Sequence, residues 1–285
     1  MFPAPFEYHR PKNVNEALKL LRTVKGARLL AGGHSLLPAM KLRLAAPAAL
    51  VDIARIKELS GIKSVKGGLQ IGAMTTHAAI ATSGLVRKSC PVLAETAGNI
   101  GDLQVRNRGT IGGSIAHADP AADYPTLMLL LGATFSVTGP KKKREIDAED
   151  FFVDLFTTAL KPGEILTSVF VPAASSAVYL KHRHPASSFA VVGVAALVAV
   201  KNGKCDRVAV AVGGATAVPV RADAAEKALT GKEPNSSNIE RAAAAVGQAI
   251  ENPLSDSYAS GEFRTHLATV MAKRALTQAA AKASS

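Results

Sequence analysis

The chain has 285 residues, of which 48% are hydrophobic, and its 23 glycines and 15 prolines are too few for a disordered or collagen-like protein. The net charge of +12 suits a nucleic acid, an anionic cofactor or an acidic partner, but the basic residues are scattered along the chain. The two cysteines, Cys90 and Cys205, lie 115 positions apart, which excludes an iron–sulfur cluster or a structural zinc site built by this chain alone.

The sequence pattern of residues 1–55 predicts one unit of helices and short strands. Hydrophobic residues recur at helical spacing from Val14 to Leu21, and Asn13 with Glu16 resembles a capping box. A buried strand is expected at residues 28–31. It is followed by Gly-Gly-His-Ser and a short helix, and a second strand at residues 49–53 ends the unit.

Residues 56–172 predict a second, α+β unit. The Lys66-Gly67-Gly68 turn separates two short strands, and helices are expected at residues 76–81, 90–97 and 127–131. Strands are expected at residues 135–137 and 165–171. The one basic run, Lys141 to Arg144, follows a Gly-Pro turn and predicts a solvated hairpin tip, with a docking patch as the alternative.

The sequence pattern of residues 173–285 predicts an antiparallel sheet followed by a small helical bundle. Asn202-Gly203 between two β-branched runs indicates a tight hairpin. Ser237 with Glu240 resembles a capping box before a helix at residues 239–250. A last helix should bury four residues and fray over residues 280–285. The four expected core residues are Phe263, Leu267, Val270 and Met271.

The chain is expected to be cytoplasmic and to lack a transmembrane segment. Its first ten residues show neither a basic nor an apolar signal region. The longest apolar stretch, Phe189 to Val200, is far shorter than the ~20 residues that span a bilayer. The length of 285 residues and the small-residue stretch from Pro172 to Ser176 favour an α+β protein of two domains, residues 1–172 and 173–285, with subdomains of about 1–55 and 56–172 in the first.

Two glycine-rich segments carry the chemistry. Gly32-Gly33-His34-Ser35 lies between a predicted strand and helix, where backbone amides can approach a phosphate, although a Gly-Gly pair can equally be a plain turn. Residues 98–123 hold five glycines and many side-chain donors. Gly112-Gly113-Ser114 can offer amides and a hydroxyl to a second phosphate, and Asp119 or Asp123 can accept from sugar or ribityl hydroxyls. A surface loop without a ligand is the alternative.

Metal and hydrolase sites are disfavoured by spacing. The four histidines that invite a metal site lack the HxxxH and HExxH patterns; they are His34, His117, His182 and His184. Ser114, His117 and Asp119 lie too close in sequence to converge readily as a triad, and no GxSxG motif is present.

Three motifs resemble the FAD-binding medium subunits of molybdenum hydroxylases, in particular the aerobic carbon monoxide dehydrogenase medium subunit within the wider xanthine dehydrogenase group. They are Ala31-Gly32-Gly33-His34-Ser35 with Met40-Lys41-Leu42-Arg43; Gln104-Val105-Arg106-Asn107-x-Gly109-Thr110-Ile111-Gly112-Gly113-Ser114; and Asp119-Pro120-Ala121-Ala122-Asp123. The resemblance covers essentially the whole chain. It implies an FAD-binding domain of the vanillyl-alcohol oxidase type, followed by the C-terminal domain of such flavoproteins.

The resemblance also implies which residues bind FAD. The first FAD loop would be Leu30, Ala31, Gly32, Gly33, His34 and Ser35, and the second Thr110, Ile111, Gly112, Gly113 and Ser114. Near the isoalloxazine would lie Ile100, Leu160 and Lys181. Asp123 would bind the cofactor, and His117 is also expected among the cofactor-binding residues. One departure is clear, because many members have Gly-Asp-Tyr/Trp-Ala where this chain has Ser187-Ser188-Phe189-Ala190.

The function that the resemblance implies is electron transfer within a complex. Electrons would come from iron–sulfur clusters of a small subunit, fed by a molybdenum cofactor on a large subunit, and would leave to an external acceptor, in a dimer of heterotrimers. No residue here is expected to act as a catalytic acid or base. A free-standing FAD-dependent oxidase or reductase is the first alternative. A basic nucleic-acid-binding protein is a remote one, because no recognised motif accompanies the scattered charge.

Overall fold

The computed structural model describes residues 2–283, and its first unit is a small parallel sheet with two helices. The elements are β1 (Glu7–His9), α1 (Val14–Thr23), β2 (Ala27–Leu30), α2 (Leu36–Lys41), β3 (Ala49–Asp52) and a 3-10 helix (Lys57–Leu59). The strands pair in the order β1-β3-β2. The predicted capping of α1 is confirmed: the Asn13 side chain accepts the Glu16 N–H, and the Glu16 carboxylate accepts the Lys12 N–H.

The second unit surrounds a five-stranded antiparallel sheet of order β4-β5-β10-β6-β7. The strands of this unit are β4 (Ile62–Val65), β5 (Gly68–Gly72), β6 (Thr134–Thr138), β7 (Lys143–Asp147), β8 (Phe152–Asp154), β9 (Thr157–Thr158) and β10 (Ile165–Pro172). Strands β8 and β9 pair with each other outside the five-stranded sheet. Its helices are α3 (His77–Thr82), α4 (Gly84–Ser89), α5 (Pro91–Gly98), α6 (Leu103–Arg108), α7 (Ile111–His117), α8 (Asp123–Leu131) and α9 (Ala148–Phe151).

Helix α8 is the centre of this unit. The predicted buried run at residues 127–131 is confirmed, and the helix ends at Gly132 in the left-handed conformation. Every residue of α8 is buried. The β4–β5 hairpin, strands β6 and β10, and helices α3 and α5 are also confirmed. Helices α4, α6, α7 and α9 were not predicted.

The third unit has the predicted antiparallel sheet and helices. The elements are β11 (Ala177–Arg183), β12 (Ala190–Lys201), β13 (Lys204–Gly213), β14 (Val220–Arg221), α10 (Asp223–Leu229), α11 (Ser236–Ala244), a 3-10 helix (Ala245–Ala249) and α12 (Gly261–Ala283). The strands follow the order β11-β12-β13-β14. Asn202 and Gly203 both have positive φ at the β12–β13 turn, which confirms the predicted hairpin.

Two helix predictions in this unit were wrong in detail. Asn235, not Ser237, caps α11, because its side-chain oxygen accepts the Asn238 N–H. On α12, Leu267 and Met271 are buried as predicted, whereas Phe263 is 42% exposed and Val270 is only partly buried. Alanines make up half of the buried residues of this helix, so that it lies close to the sheet.

The units pack on one another through the third sheet. One face of this sheet contacts α10 and α12, and α8 of the second unit packs against β12 and β13 on the other side. The division after residue 172 stays a prediction, because α8 shares one core with this sheet. Helix α12 is continuous to Ala283, so the predicted fraying is absent up to that residue, and Ser284 and Ser285 lie outside the described residues. No helix within residues 2–283 is long and apolar enough to cross a membrane.

Candidate functional site

A cleft of about 710 Å³ lies where the three units meet. This volume is typical of a site for a small molecule or cofactor. Thirteen of the sixteen predicted site residues line it: Ala31, Gly32, Gly33, His34, Ser35, Ile100, Thr110, Gly112, Gly113, Ser114, His117, Asp123 and Leu160. The fold therefore brings together segments that are far apart in sequence.

The first loop presents free backbone donors to the cleft. In the described chain, the N–H groups of Gly32, Gly33, His34 and Ser35 donate to no protein acceptor. The Ser35 side chain makes no capping bond at the start of α2. Consecutive unpaired amides with a nearby hydroxyl are what an anionic oxygen needs.

Glycine is required at both positions of the Gly32-Gly33 pair. Gly33 has φ +80°, in the left-handed region that side chains rarely adopt. A Cβ on Gly32 would lie 2.2 Å from the Arg108 carbonyl oxygen, so the first loop packs directly on the backbone before the second loop. The two loops are therefore held at a fixed separation by backbone contact.

The second loop differs from the prediction in its amides. The N–H groups of Ile111 and Gly112 donate to the Thr75 and Ala73 carbonyls at 3.1 and 2.8 Å. Those of Gly113 and Ser114 donate to the Thr110 hydroxyl and carbonyl at 3.1 and 3.0 Å. All four amides are thus satisfied within the protein. What this loop offers the cleft is the Ser114 hydroxyl, which has no partner among the described residues.

Gly112 has a packing role that the sequence did not reveal. A Cβ there would lie 2.4 Å from the Ala73 Cβ and 2.7 Å from the Ala73 carbonyl oxygen. The glycine therefore lets α7 pack against the end of β5. A large residue at this position would disturb the fold itself as well as the cleft.

Asp123 belongs to a buried polar group at the cleft wall. Its two carboxylate oxygens accept from the Tyr179 hydroxyl at 2.7 Å and from Lys181 Nζ at 2.8 Å. Both members of the ion pair are about 95% buried. Burial raises the pKa of the Asp123 carboxyl, while Lys181 and Tyr179 oppose the rise. Asp123 lines the cleft, whereas Lys181 lies behind it and acts on the site through this carboxylate.

The other predicted residues fall into two groups. Ile111 is fully buried in the core and Leu30 is the last residue of β2, and neither lines the cleft. Ile100 and Leu160 line it as partly buried apolar residues. His117 is exposed beside the Phe156 ring, with ring centroids 5.1 Å apart. Phe189 also lines the cleft and is 43% exposed, at the end of the loop that follows β11.

His77 is a cleft residue that no sequence motif indicated. It is 4% exposed, and its ring lies 5.3 Å from the Tyr124 ring. Its Nδ1 atom is buried without a hydrogen-bond partner in the protein. Burial, together with the nearby His34 and Arg106, lowers the pKa of His77 to about 4. The imidazole is therefore neutral at ordinary pH.

Protonation of His77 should make the free energy of unfolding depend on pH in acid solution. The unfolded chain protonates this residue near pH 6.5 and the folded chain near 4, so the stability is fully present above pH 6.5 and falls as pH drops to 4. The expected loss is about 3 kcal/mol. Urea unfolding of His77→Gln at several pH values should show a shallower fall than the wild type. His266→Gln, at an exposed position on α12, is the control. Parallel curves for wild type and His77→Gln would contradict this prediction.

A turn at residues 159–164 forms one wall of the cleft and was also not predicted as a unit. Five consecutive residues line the cleft: Leu160, Lys161, Pro162, Gly163 and Glu164. The Pro-Gly pair was a readable turn signal in the sequence. What the sequence did not show is that this turn folds back over the site.

The cleft has the properties of a site for a long anionic cofactor with an apolar end. Free amides and two hydroxyls line it at the two loops, and aliphatic and aromatic side chains line it at the turn and at Phe189. Across residues 2–283, no group of three or more His, Cys, Asp or Glu side chains is arranged to hold a metal ion. The fold and the cleft together define a protein that holds an organic phosphate-bearing cofactor.

Comparison with known proteins identifies the family. Residues 4–174 match the model of the FAD-binding domain in molybdopterin dehydrogenase, and residues 177–279 match the CO dehydrogenase flavoprotein C-terminal domain. The chain is 38% identical to the carbon monoxide dehydrogenase medium chain of Afipia carboxidovorans, over 99% of both chains. It is 36% identical to the glyceraldehyde dehydrogenase medium chain of Sulfolobus acidocaldarius, over 98% of this chain and 100% of that one.

A solved structure agrees with this assignment. Carbon monoxide dehydrogenase from Hydrogenophaga pseudoflava, in a form that lacks the Mo-pyranopterin moiety of its cofactor, contains a chain 41% identical to this one, with a TM-score of 0.95 and 99% of both chains covered. This chain therefore belongs to the family of FAD-binding medium subunits of molybdenum hydroxylases. Its cofactor is FAD, and its FAD-binding part is of the vanillyl-alcohol oxidase type. The resemblance drawn from the three motifs is confirmed.

Proposed function

We propose that this chain is the electron-transfer subunit of a molybdenum hydroxylase complex. It takes electrons from iron–sulfur clusters on a small subunit, fed by a molybdenum cofactor on a large subunit, and delivers them to an external acceptor. The observation that supports this most is the combination of an FAD cleft with two isolated cysteines. Cys90 and Cys205 are buried in two different hydrophobic cores, so any iron–sulfur cluster must lie on another chain.

We propose that the first loop holds the cofactor's pyrophosphate. The free amides of Gly32 to Ser35 can donate to its oxygens, with the Ser35 and Ser114 hydroxyls as further donors. Because the second-loop amides are already bonded, the second loop contributes shape and a hydroxyl. This division of roles differs from the expectation that backbone amides of both loops hold the pyrophosphate.

The isoalloxazine would lie among Ile100, Leu160 and Phe189, which line the apolar part of the cleft. Bound FAD supplies both one-electron and two-electron redox chemistry. The protein's contribution is to exclude water there and to set the local charge. Lys181 contributes through Asp123, since the buried ion pair places a carboxylate, partly neutralised by an ammonium group, at the cleft wall.

The complex is proposed to be a dimer of heterotrimers, each with a small, a medium and a large subunit. The net charge of +12 on this chain favours docking on more acidic partners. The basic run at the β6–β7 tip keeps Lys141 to Lys143 exposed, whereas Arg144 is engaged within the chain.

Anaerobic mixing of separate subunits tests the proposal. The small subunit is reduced with dithionite, freed of excess reductant and mixed with this chain in its FAD-bound form. We expect the flavin absorbance to bleach, and added salt to slow the bleaching if charge guides docking. The chain alone should not bleach with substrates of molybdenum hydroxylases. Bleaching of the isolated chain by such a substrate, or its absence in a formed complex with reduced clusters, would refute the proposal.

A further inference from the structure

The turn that walls the cleft is encoded locally. Lys161-Pro162-Gly163-Glu164 forms a type II turn, with φ +79° at Gly163 and the Glu164 N–H donating to the Lys161 carbonyl at 3.0 Å. The sequence thus fixes the shape of the turn. Its placement over the cleft needs a contact with the rest of the protein.

That contact comes from Arg144 on β7. Its Nε and Nη2 donate to the two Glu164 carboxylate oxygens at 3.0 and 2.8 Å, and Nη2 also donates to the Ala159 carbonyl at 2.7 Å. A forked pair of this kind fixes orientation as well as distance. Arg144 therefore holds both ends of the segment that carries Leu160.

Glu164 connects this pair to the turn. Its Oε2 also accepts the Lys161 N–H at 2.8 Å, so the same carboxylate bonds Arg144 and the turn backbone. The side chain of Glu164 is 8% exposed and that of Arg144 is 24% exposed. The Arg144 hydrogen bond lowers the pKa of Glu164, which keeps the carboxylate charged. Few other hydrogen bonds hold this segment: the Ala159 N–H donates to the Phe151 carbonyl, and the Leu160 N–H donates to the Thr158 hydroxyl at 3.3 Å.

We propose that Arg144 is a positioning residue for FAD. Through Glu164 and Ala159 it holds Leu160 and the turn at residues 161–164 against the bound cofactor, and thereby limits the rate at which FAD leaves. Arg144 does not line the cleft, so it acts through the turn and not by touching FAD. The inference uses the FAD site and does not depend on the electron-transfer proposal.

The test is the rate of FAD dissociation from the full chain, measured by the rise in flavin fluorescence after dilution. Arg144→Met should release FAD about tenfold faster, since a loss of about 1.4 kcal/mol in the interaction between the turn and FAD changes the dissociation rate tenfold. Arg144→Lys keeps the charge but cannot form the fork, and it should also accelerate release, which covers the case that the Met variant does not fold. Wild-type release from a folded Arg144→Met or Arg144→Lys chain would overturn the proposal.

A matched control separates positioning from general stability. Arg221 and Glu226 form a comparable part-buried pair at 2.8 and 2.6 Å in the third unit, away from the cleft. Arg221→Met should leave FAD release unchanged. Equal acceleration by Arg221→Met would show that any lost ion pair loosens the cofactor, and would overturn a specific role for Arg144.

A double-mutant cycle gives a readout that a merely structural role would not produce. If Arg144 acts on FAD only through Glu164 and the turn, Glu164→Gln should accelerate release, and Arg144→Met/Glu164→Gln should release FAD no faster than the Arg144 single variant. Independent effects that multiply in the double variant would contradict the proposed coupling.

Discussion

Gly33→Val is expected to abolish FAD binding while leaving the chain folded. Gly33 has φ +80°, which a β-branched residue adopts poorly, and its new Cβ would meet only the flexible ends of Leu37 and Leu30, at 2.9 and 3.3 Å. The loop would therefore move instead of the core. Because each amide bond to a charged oxygen contributes about 1.5–3 kcal/mol, losing two of them should weaken FAD binding by at least about 100-fold. Titration of the apo chain with FAD measures this.

Gly203→Val provides the matched control for this prediction. Gly203 has φ +75° at the tip of the β12–β13 hairpin, and nothing lies within 4 Å of a Cβ added there. The same substitution thus imposes the same kind of backbone strain far from the cleft. It should lower the free energy of unfolding and leave FAD affinity unchanged. Near-normal affinity in Gly33→Val, or equal loss in both variants, would contradict the assigned role of the first loop.

Lys181→Met should cost about 3 kcal/mol of unfolding free energy at neutral pH, because it leaves the Asp123 carboxylate buried without its cation. Tyr179 alone cannot compensate for the lost ammonium group. The cost should shrink as pH is lowered, since loss of Lys181 raises the pKa of Asp123 further and protonation then neutralises the carboxyl. Urea unfolding of the apo chain over a range of pH measures both effects.

Two further variants show whether the cost comes from the unpaired charge. Asp123→Asn combined with Lys181→Met should recover most of the lost stability, as neither charge then remains. Lys273→Met removes an ion pair to Glu240 in which both side chains are about half exposed, and it should change stability little. A double variant no more stable than Lys181→Met would mean that Lys181 stabilises the fold by packing alone.

Much of the fold was predictable because its signals are local. The Asn202-Gly203 turn, the capped helix after Asn13 and the apolar run before Gly132 each depend on a few neighbouring residues. The errors occurred where tertiary packing decides. Sequence spacing favoured Phe263 as a core residue of α12, but the close approach of this helix to the sheet selects alanines for its buried face.

The same distinction applies to the cleft. The two glycine loops were recognised from their motifs, and thirteen predicted residues do line the cleft. Which amides are free could not be predicted in full, because the Ile111 and Gly112 amides are bonded to the Thr75 and Ala73 carbonyls, which are far from that loop in sequence. His77 and the Arg144–Glu164 pair were missed for a similar reason, since their importance arises from burial and from long-range contacts.

The proposed function requires that electrons leave the complex through the FAD held in this cleft. Its most direct test compares two reconstituted complexes, one with the wild-type chain and one with Gly33→Val, each supplied anaerobically with reduced small subunit and then with a dye acceptor. We predict rapid acceptor reduction by the first. In the second the clusters should stay reduced, as followed by their electron paramagnetic resonance signal, and the acceptor should be reduced only slowly. Equal rates of acceptor reduction by the two complexes, with FAD absent from the second, would contradict the proposed function.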